Sequence, residues 1–140
     1  MGKKVLIGTI IACMMLTGAG FAQGSRKEQA ALEAAEAWLL LVDQGAYLQS
    51  YQTASSLFKR ALMPETWEQS MQGVRVPLGG VMSRVVKSAT YSTALPGAPD
   101  GEYVIIQYNT SFTNKKEAVE TVTPMLDVDG VWRVAGYYIN

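Results

Sequence analysis

The 140-residue sequence contains no histidine and a single cysteine, Cys13, and carries no net charge, with 12 Lys and Arg against 12 Asp and Glu. Without histidine, the Ser-His and Cys-His nucleophiles are excluded, and with one cysteine so are most zinc sites. One cysteine also forms no disulfide within the chain. The absence of a basic excess argues against a nucleic-acid partner, because phosphate binding needs clustered Lys and Arg. What is present is apolar: 49% hydrophobic residues and only 17% charged ones. That balance excludes a disordered chain, and the length corresponds to one domain.

The first 22 residues read as a secretory signal peptide. Lys3 and Lys4 precede an uncharged apolar run from Val5 to Leu16, and Gly20-Phe21-Ala22 supplies the small-x-small ending. Cleavage is expected between Ala22 and Gln23, which places residues 23–140 in the periplasm or outside the cell. An uncleaved anchor is the weaker alternative, because the uncharged run from Val5 to Gln23 contains three glycines and tapers into polar residues. A second alternative lies inside the leader: Ile10-Ile11-Ala12-Cys13 fits a loose lipobox, and lipidation of Cys13 would tie the protein to a membrane. The apolar Met14-Met15-Leu16 that follows argues against it. The remaining 118 residues hold 10 basic and 12 acidic groups, and a chain of this size buries roughly 65% of its unfolded surface.

Residues 23–140 read as one α+β domain, with helices over about 26–76 and strands over about 81–140. Ser25-Arg26-Lys27-Glu28 is a capping box, after which Ala31, Ala34, Ala35, Trp38, Leu41 and Val42 form an apolar stripe at helical spacing. Asp43-Gln44-Gly45 ends this helix. A second helical stretch, 46–62, turns Tyr47, Tyr51, Leu57 and Leu62 inward with a break near Ser55-Ser56. Pro64 opens a third, which buries Trp67, Met71 and Val74 and stops at Pro77 and Gly79-Gly80. The period then changes from 3.6 to 2. Residues 81–94 place Val81, Val85, Ala89 and Tyr91 on one face. Residues 102–113 place Val104, Ile106, Tyr108 and Phe112 on one side and Tyr103, Gln107, Asn109 and Ser111 on the other. A poorer strand spans 117–126, and Asp129-Gly130 turns the chain into 131–139, where Trp132, Val134 and Tyr138 share a face. Helices followed by strands predict N-terminal helices packed on one antiparallel sheet of about four strands.

Ala37-Trp38, Arg75-Val76-Pro77-Leu78-Gly79, the run from Pro96 to Tyr103, Glu120-Thr121-Val122-Thr123-Pro124 and the run from Trp132 to Tyr138 resemble the bacterial family called domain of unknown function 4019. The resemblance covers nearly all of residues 30–140 and implies an exported protein of proteobacterial type. The element order is also similar to the nuclear-transport-factor-2-like cone, whose sheet is curved and which serves enzymes, binding proteins and dimerisation modules alike. Fold by itself does not choose among these.

Enzymes on that cone use an acid–base pair in the mouth of the sheet. Here the base would be Glu120, with Tyr103, Tyr108 or Tyr137 as donor. The alternative is that Glu120 pairs with Arg84 or Arg133, or faces solvent. No residue is assigned a catalytic role. A ligand held between helices and sheet would meet Glu120, Arg133, Tyr103 and Tyr108. Arg75 is expected to fix the helix-to-sheet junction by bonding backbone carbonyls. Asp127-Val128-Asp129-Gly130 lacks the later ligands of a calcium loop and is read as a turn. No metal and no cofactor are expected. The leading reading is a non-catalytic binding or assembly module, a homodimer through the half-polar sheet face of Tyr103, Ile105, Gln107 and Asn109; an unknown protein partner or a small apolar ligand are the other partners considered.

Overall fold

A computed structural model describes residues 19–140, with side chains from Arg26 onward. Cys13 and most of the leader lie outside the described residues, and of Ala22 and Gln23 only the backbone is described. The elements run α1 (Ala19–Asp43), α2 (Tyr47–Thr53), α3 (Ser56–Ala61), α4 (Pro64–Leu78), β1 (Val81–Ser92), β2 (Tyr103–Phe112), β3 (Lys115–Leu126) and β4 (Trp132–Ile139). The strands form one antiparallel meander in chain order, β1-β2-β3-β4. This is the expected α+β fold, four helices with one curved sheet. No helix among the described residues is long and apolar enough to cross a membrane.

α1 already includes Ala19, the first residue described, so Ser25 lies within the helix and not at its N-cap. The reason is local: nothing between Ala19 and Ser25 forbids helical dihedrals, and propagating a helix that is already nucleated is favourable. At the other end Gly45 takes φ 75°, the left-handed conformation expected of a C-terminal cap. α1 lies across all four strands and buries Ala31, Ala35, Trp38, Leu39 and Val42. The second helical stretch is broken where expected. Ala54 and Ser55 separate α2 from α3, and the Ser55 hydroxyl accepts from the Phe58 N–H at 3.1 Å to cap the new helix.

Helix and sheet meet over an aromatic cluster. Trp38 packs on Phe58, Trp67 and Tyr137, with ring centroids 6.3, 5.6 and 5.3 Å away. Ser50, fully buried, satisfies both indoles. Its carbonyl accepts from Trp38 Nε1 at 2.8 Å and its hydroxyl from Trp67 Nε1 at 2.9 Å. Such a polar pin lets two tryptophans enter a core without an orphaned N–H.

α4 continues through Pro77 to Leu78 and closes on Gly79, which has φ 76°. A Cβ at Gly79 would also stand 3.0 Å from the Thr113 Cβ, so glycine is required twice over. Asn114, at the β2–β3 turn, ties this corner by donating its Nδ2 to the Pro77 carbonyl and its backbone N–H to that of Leu78, both at 2.9 Å.

The opposite end is held by Asp127. Its carboxylate accepts from the Ser56 N–H at 2.9 Å and the Ser56 hydroxyl at 2.6 Å, fastening α3 to the β3–β4 turn. The Ser56 hydroxyl and N–H hold this carboxyl well below the usual carboxylate range, outweighing its burial. A depressed pKa stabilises the fold above the unfolded value of about 4 and loses that contribution as pH falls toward the folded value. Asp127→Asn is therefore expected to cost about 1.5–3 kcal/mol at neutral pH and to flatten the acid limb of stability. Urea midpoints of both proteins at neutral and acid pH test this; parallel acid limbs would show that Asp127 does not carry the effect.

Candidate functional site

Sheet alternation decides which side chains reach the inner face, and two bulges change that alternation. In β1 the register against β2 slips between Val86 and Ser88. Ala89 and Tyr91 stay inward, but before the bulge the parity reverses. Arg84, opposite Thr110, turns inward, and Val85, opposite Asn109, turns outward and is 65% exposed. This corrects the expectation that Val85 shares the face of Ala89. In β4 the register against β3 slips so that Thr123 faces Gly136 and Pro124 faces Val134. Beyond the bulge Tyr137 points inward and Tyr138 outward, the reverse of strict alternation from Trp132 and Val134. An extra residue on one strand moves every later side chain to the other face.

The two bulges deliver Arg84 and Tyr137 to Glu120, which is fully buried on β3. Glu120 Oε1 accepts from Arg84 Nε at 2.7 Å and from Thr110 Oγ1 at 2.6 Å. Its Oε2 accepts from Arg84 Nη2 at 3.2 Å and from the Tyr137 hydroxyl. A carboxylate offers about four lone-pair positions, and all four are occupied. Of the alternatives left open for Glu120, the structure selects the pairing with Arg84.

Arg84 extends the network outward. Its Nη1 and Nη2 donate to the two oxygens of Asp43 at 2.7 and 3.0 Å. Asp43 also accepts from Arg75 Nη2 at 2.8 Å. Two guanidiniums and two carboxylates thus alternate from the end of α1 to the middle of the sheet, without net charge. Burial works against both ions of each pair. It is outweighed at Asp43, whose pKa the bonds from Arg84 and Arg75 hold down, and at Arg84, whose bonds to Asp43 and Glu120 keep it cationic. Burial and the Glu120 charge raise Tyr137 above the usual tyrosine range, so it remains a hydroxyl donor.

Arg75, on the last turn of α4, takes the inward position expected of Val74, which is 45% exposed. Steps of four residues from Trp67 through Met71 to Arg75 make the buried face of α4. Its guanidinium lies over the Phe112 ring at 5.0 Å and bonds Asp43 and Tyr137. It fixes the junction, as expected, but through a carboxylate and a hydroxyl rather than backbone carbonyls.

The other residues singled out in the sequence do not join this group. Tyr103 belongs to the opposite face of β2. It is 1% exposed, and its hydroxyl donates to the Pro99 carbonyl at 2.5 Å beneath the loop that precedes the strand. Arg133 clamps the β3–β4 turn, with Nη1 and Nη2 each 2.8 Å from an oxygen of Asp129. Tyr108 does face inward, opposite Glu120. Its hydroxyl is covered and has no partner among the described residues, and burial, with Glu36 nearby, pushes its pKa up to about 12. Sequence reading missed Asp43, Arg84 and Thr110 as a set. Asp43 reads as part of a helix stop, and only the bulge brings Arg84 inside.

Cavities of about 530, 270 and 290 Å³ open on the outer sheet face, between α1 and β4, and at the α1–α4 corner; Glu120 lines none of these. No group of three or more His, Cys, Asp or Glu among the described residues is placed to hold a metal ion.

Fold and network together define a small α+β protein whose helices and meander sheet are locked by an Arg–carboxylate chain that runs from the surface at Asp43 to the buried Glu120. The profile of the family described as "Protein of unknown function (DUF4019)" matches residues 34–137, and the chain belongs to that family. The matched segment begins within α1 and includes Asp43, Arg75, Arg84, Glu120 and Tyr137. Comparison with curated proteins and with solved structures finds no match.

Proposed function

We propose that the protein is an exported, non-catalytic binding or assembly module of the bacterial cell envelope, which pairs with a second copy through the outer face of its sheet. The observation that carries this reading is that face itself. All helices pack on the other side, and the outward positions are mostly uncharged, among them Val85, Ile105, Gln107, Val119, Thr121 and Tyr138. Tyr138 is 54% exposed. Four strands about 4.8 Å apart and about ten residues long span at most about 600 Å² of curved face, with Tyr103 at one end already under a loop. Two copies would therefore cover at most about 1,200 Å², the lower bound for a specific stable interface. Glu117 and Arg133 lie toward opposite ends of the face, so an antiparallel pairing brings unlike charges together.

The curved sheet behind its helices fits a nuclear-transport-factor-2-like cone, and export fits a leader cleaved after Ala22 in preference to an anchor at Cys13. The competing reading, a small apolar ligand or an acid–base substrate held by Glu120 between helices and sheet, has less support. Trp38, Phe58, Trp67 and Tyr137 fill that space, and Glu120 has no lone pair to spare.

Native mass spectrometry of the full-length gene product, exported by a bacterial host, tests the proposal. A dimer that Gln107→Lys with Tyr138→Lys converts to monomer is the expected result. A monomer at every concentration would overturn the pairing. The denatured mass decides the address, by a start at Gln23 or at a lipidated Cys13.

A further inference from the structure

The largest of the three cavities lies on that outer face, toward the β2–β3 turn, and two of its lining residues, Val85 and Val119, belong to the face assigned to the second copy. It is a hollow of about 530 Å³, within the range of sites that hold small molecules. Val85 and Val119 supply its apolar lining, with Asn109 between them in the strand register, and Ser83, Ser111 and Asn140 line it as well. Among the described residues, none of these Asn and Ser side chains donates or accepts a hydrogen bond. Lys116 and Glu117 also line the hollow, and their charges cancel.

We infer that this hollow binds a neutral saccharide. Carboxamides and hydroxyls both donate and accept, which matches the alternating needs of sugar hydroxyls. The valine lining suits the apolar C–H face of a sugar ring or the methyl of an N-acetyl group. The cancelled charge offers nothing to a strongly anionic or cationic ligand. The hollow owes its β1 side to the bulge, because the parity change that sends Arg84 inward is what turns Ser83 and Val85 outward. The inference rests on the binding-module reading and names a ligand class for one end of the same face, where a sugar would compete with a second copy for Val85 and Val119.

The test is an NMR titration of the isotope-labelled protein with tri-N-acetylchitotriose and, separately, maltotriose. Saturable shifts of the Asn109 and Asn140 side-chain amides and the Val85 and Val119 methyls are expected with at least one of them. Val85→Lys, at an exposed edge position, should abolish these shifts while the remaining spectrum stays that of the folded protein. Asn109→Ala should weaken binding by about three- to tenfold, the loss of one neutral hydrogen bond. No saturable shift with either sugar, shifts confined to residues outside the hollow, or undiminished binding by Val85→Lys would each overturn the inference. The titration is run on the protein carrying Gln107→Lys and Tyr138→Lys, in which pairing does not cover the hollow, so failure of the sugar site is distinguishable from failure of the dimer.

Discussion

Glu120→Ala is expected to destabilise the fold by about 3–5 kcal/mol, more than removal of any exposed ion pair. The carboxylate is fully buried and accepts from Arg84, Thr110 and Tyr137. Its removal leaves a guanidinium that is only 15% exposed with half its counter-charge, and strands two covered hydroxyls. The cost is the desolvation of groups that no longer have partners, and not the net worth of the pair. For that reason Arg84→Met combined with Glu120→Met should cost clearly less than the two single changes added together, while Asp43 keeps its bond from Arg75. Urea denaturation of the four proteins gives the cycle. Additive losses would show that the two charges are uncoupled, and a loss below about 1 kcal/mol for Glu120→Ala would place the pair among weak surface bridges.

Trp38→Ala should cost a similar amount, about 3–5 kcal/mol, by a different mechanism. The indole is 3% exposed and touches the rings of Phe58, Trp67 and Tyr137 at the meeting of all layers. Its removal opens a cavity between α1 and the sheet and frees the Ser50 carbonyl. Trp38→Phe separates these terms in part, since it keeps an aromatic ring in the cluster, loses the bond to Ser50 and gives up only a fraction of the packing, for about 1–2 kcal/mol. Equal losses for the two variants would mean that the hydrogen bond, and not the packing, dominates. Because Tyr137 belongs both to this cluster and to the Glu120 network, the two variants are expected to interact when combined.

These two sites differ in how far the sequence shows them. Trp38 stands on a helical stripe, and its burial follows from spacing with Ala31, Ala35 and Val42. Glu120 is visible only as a carboxylate within an apolar strand; Arg84 and Arg133 remain equal candidates as its partner. The sequence also points to Tyr103 as readily as to Tyr108 or Tyr137. In the folded chain Tyr103 bonds the Pro99 carbonyl on the far face, Tyr108 stands opposite Glu120 without bonding it, and Tyr137 makes the bond.

The sequence by itself determines the change from helical to strand periodicity near Gly79-Gly80, the stops at Gly45 and Gly79, the break at Ser55, the Asp129-Gly130 turn and the tryptophans of the core. Each is set by residues within a few positions, through backbone dihedrals and local burial. The tertiary structure decides which faces Arg84, Val85, Tyr137 and Tyr138 take, and so what surrounds Glu120 and what lines the outer face. A bulge is a property of two paired strands, and one extra residue reverses every later side chain. Alternation within a single strand carries no record of it.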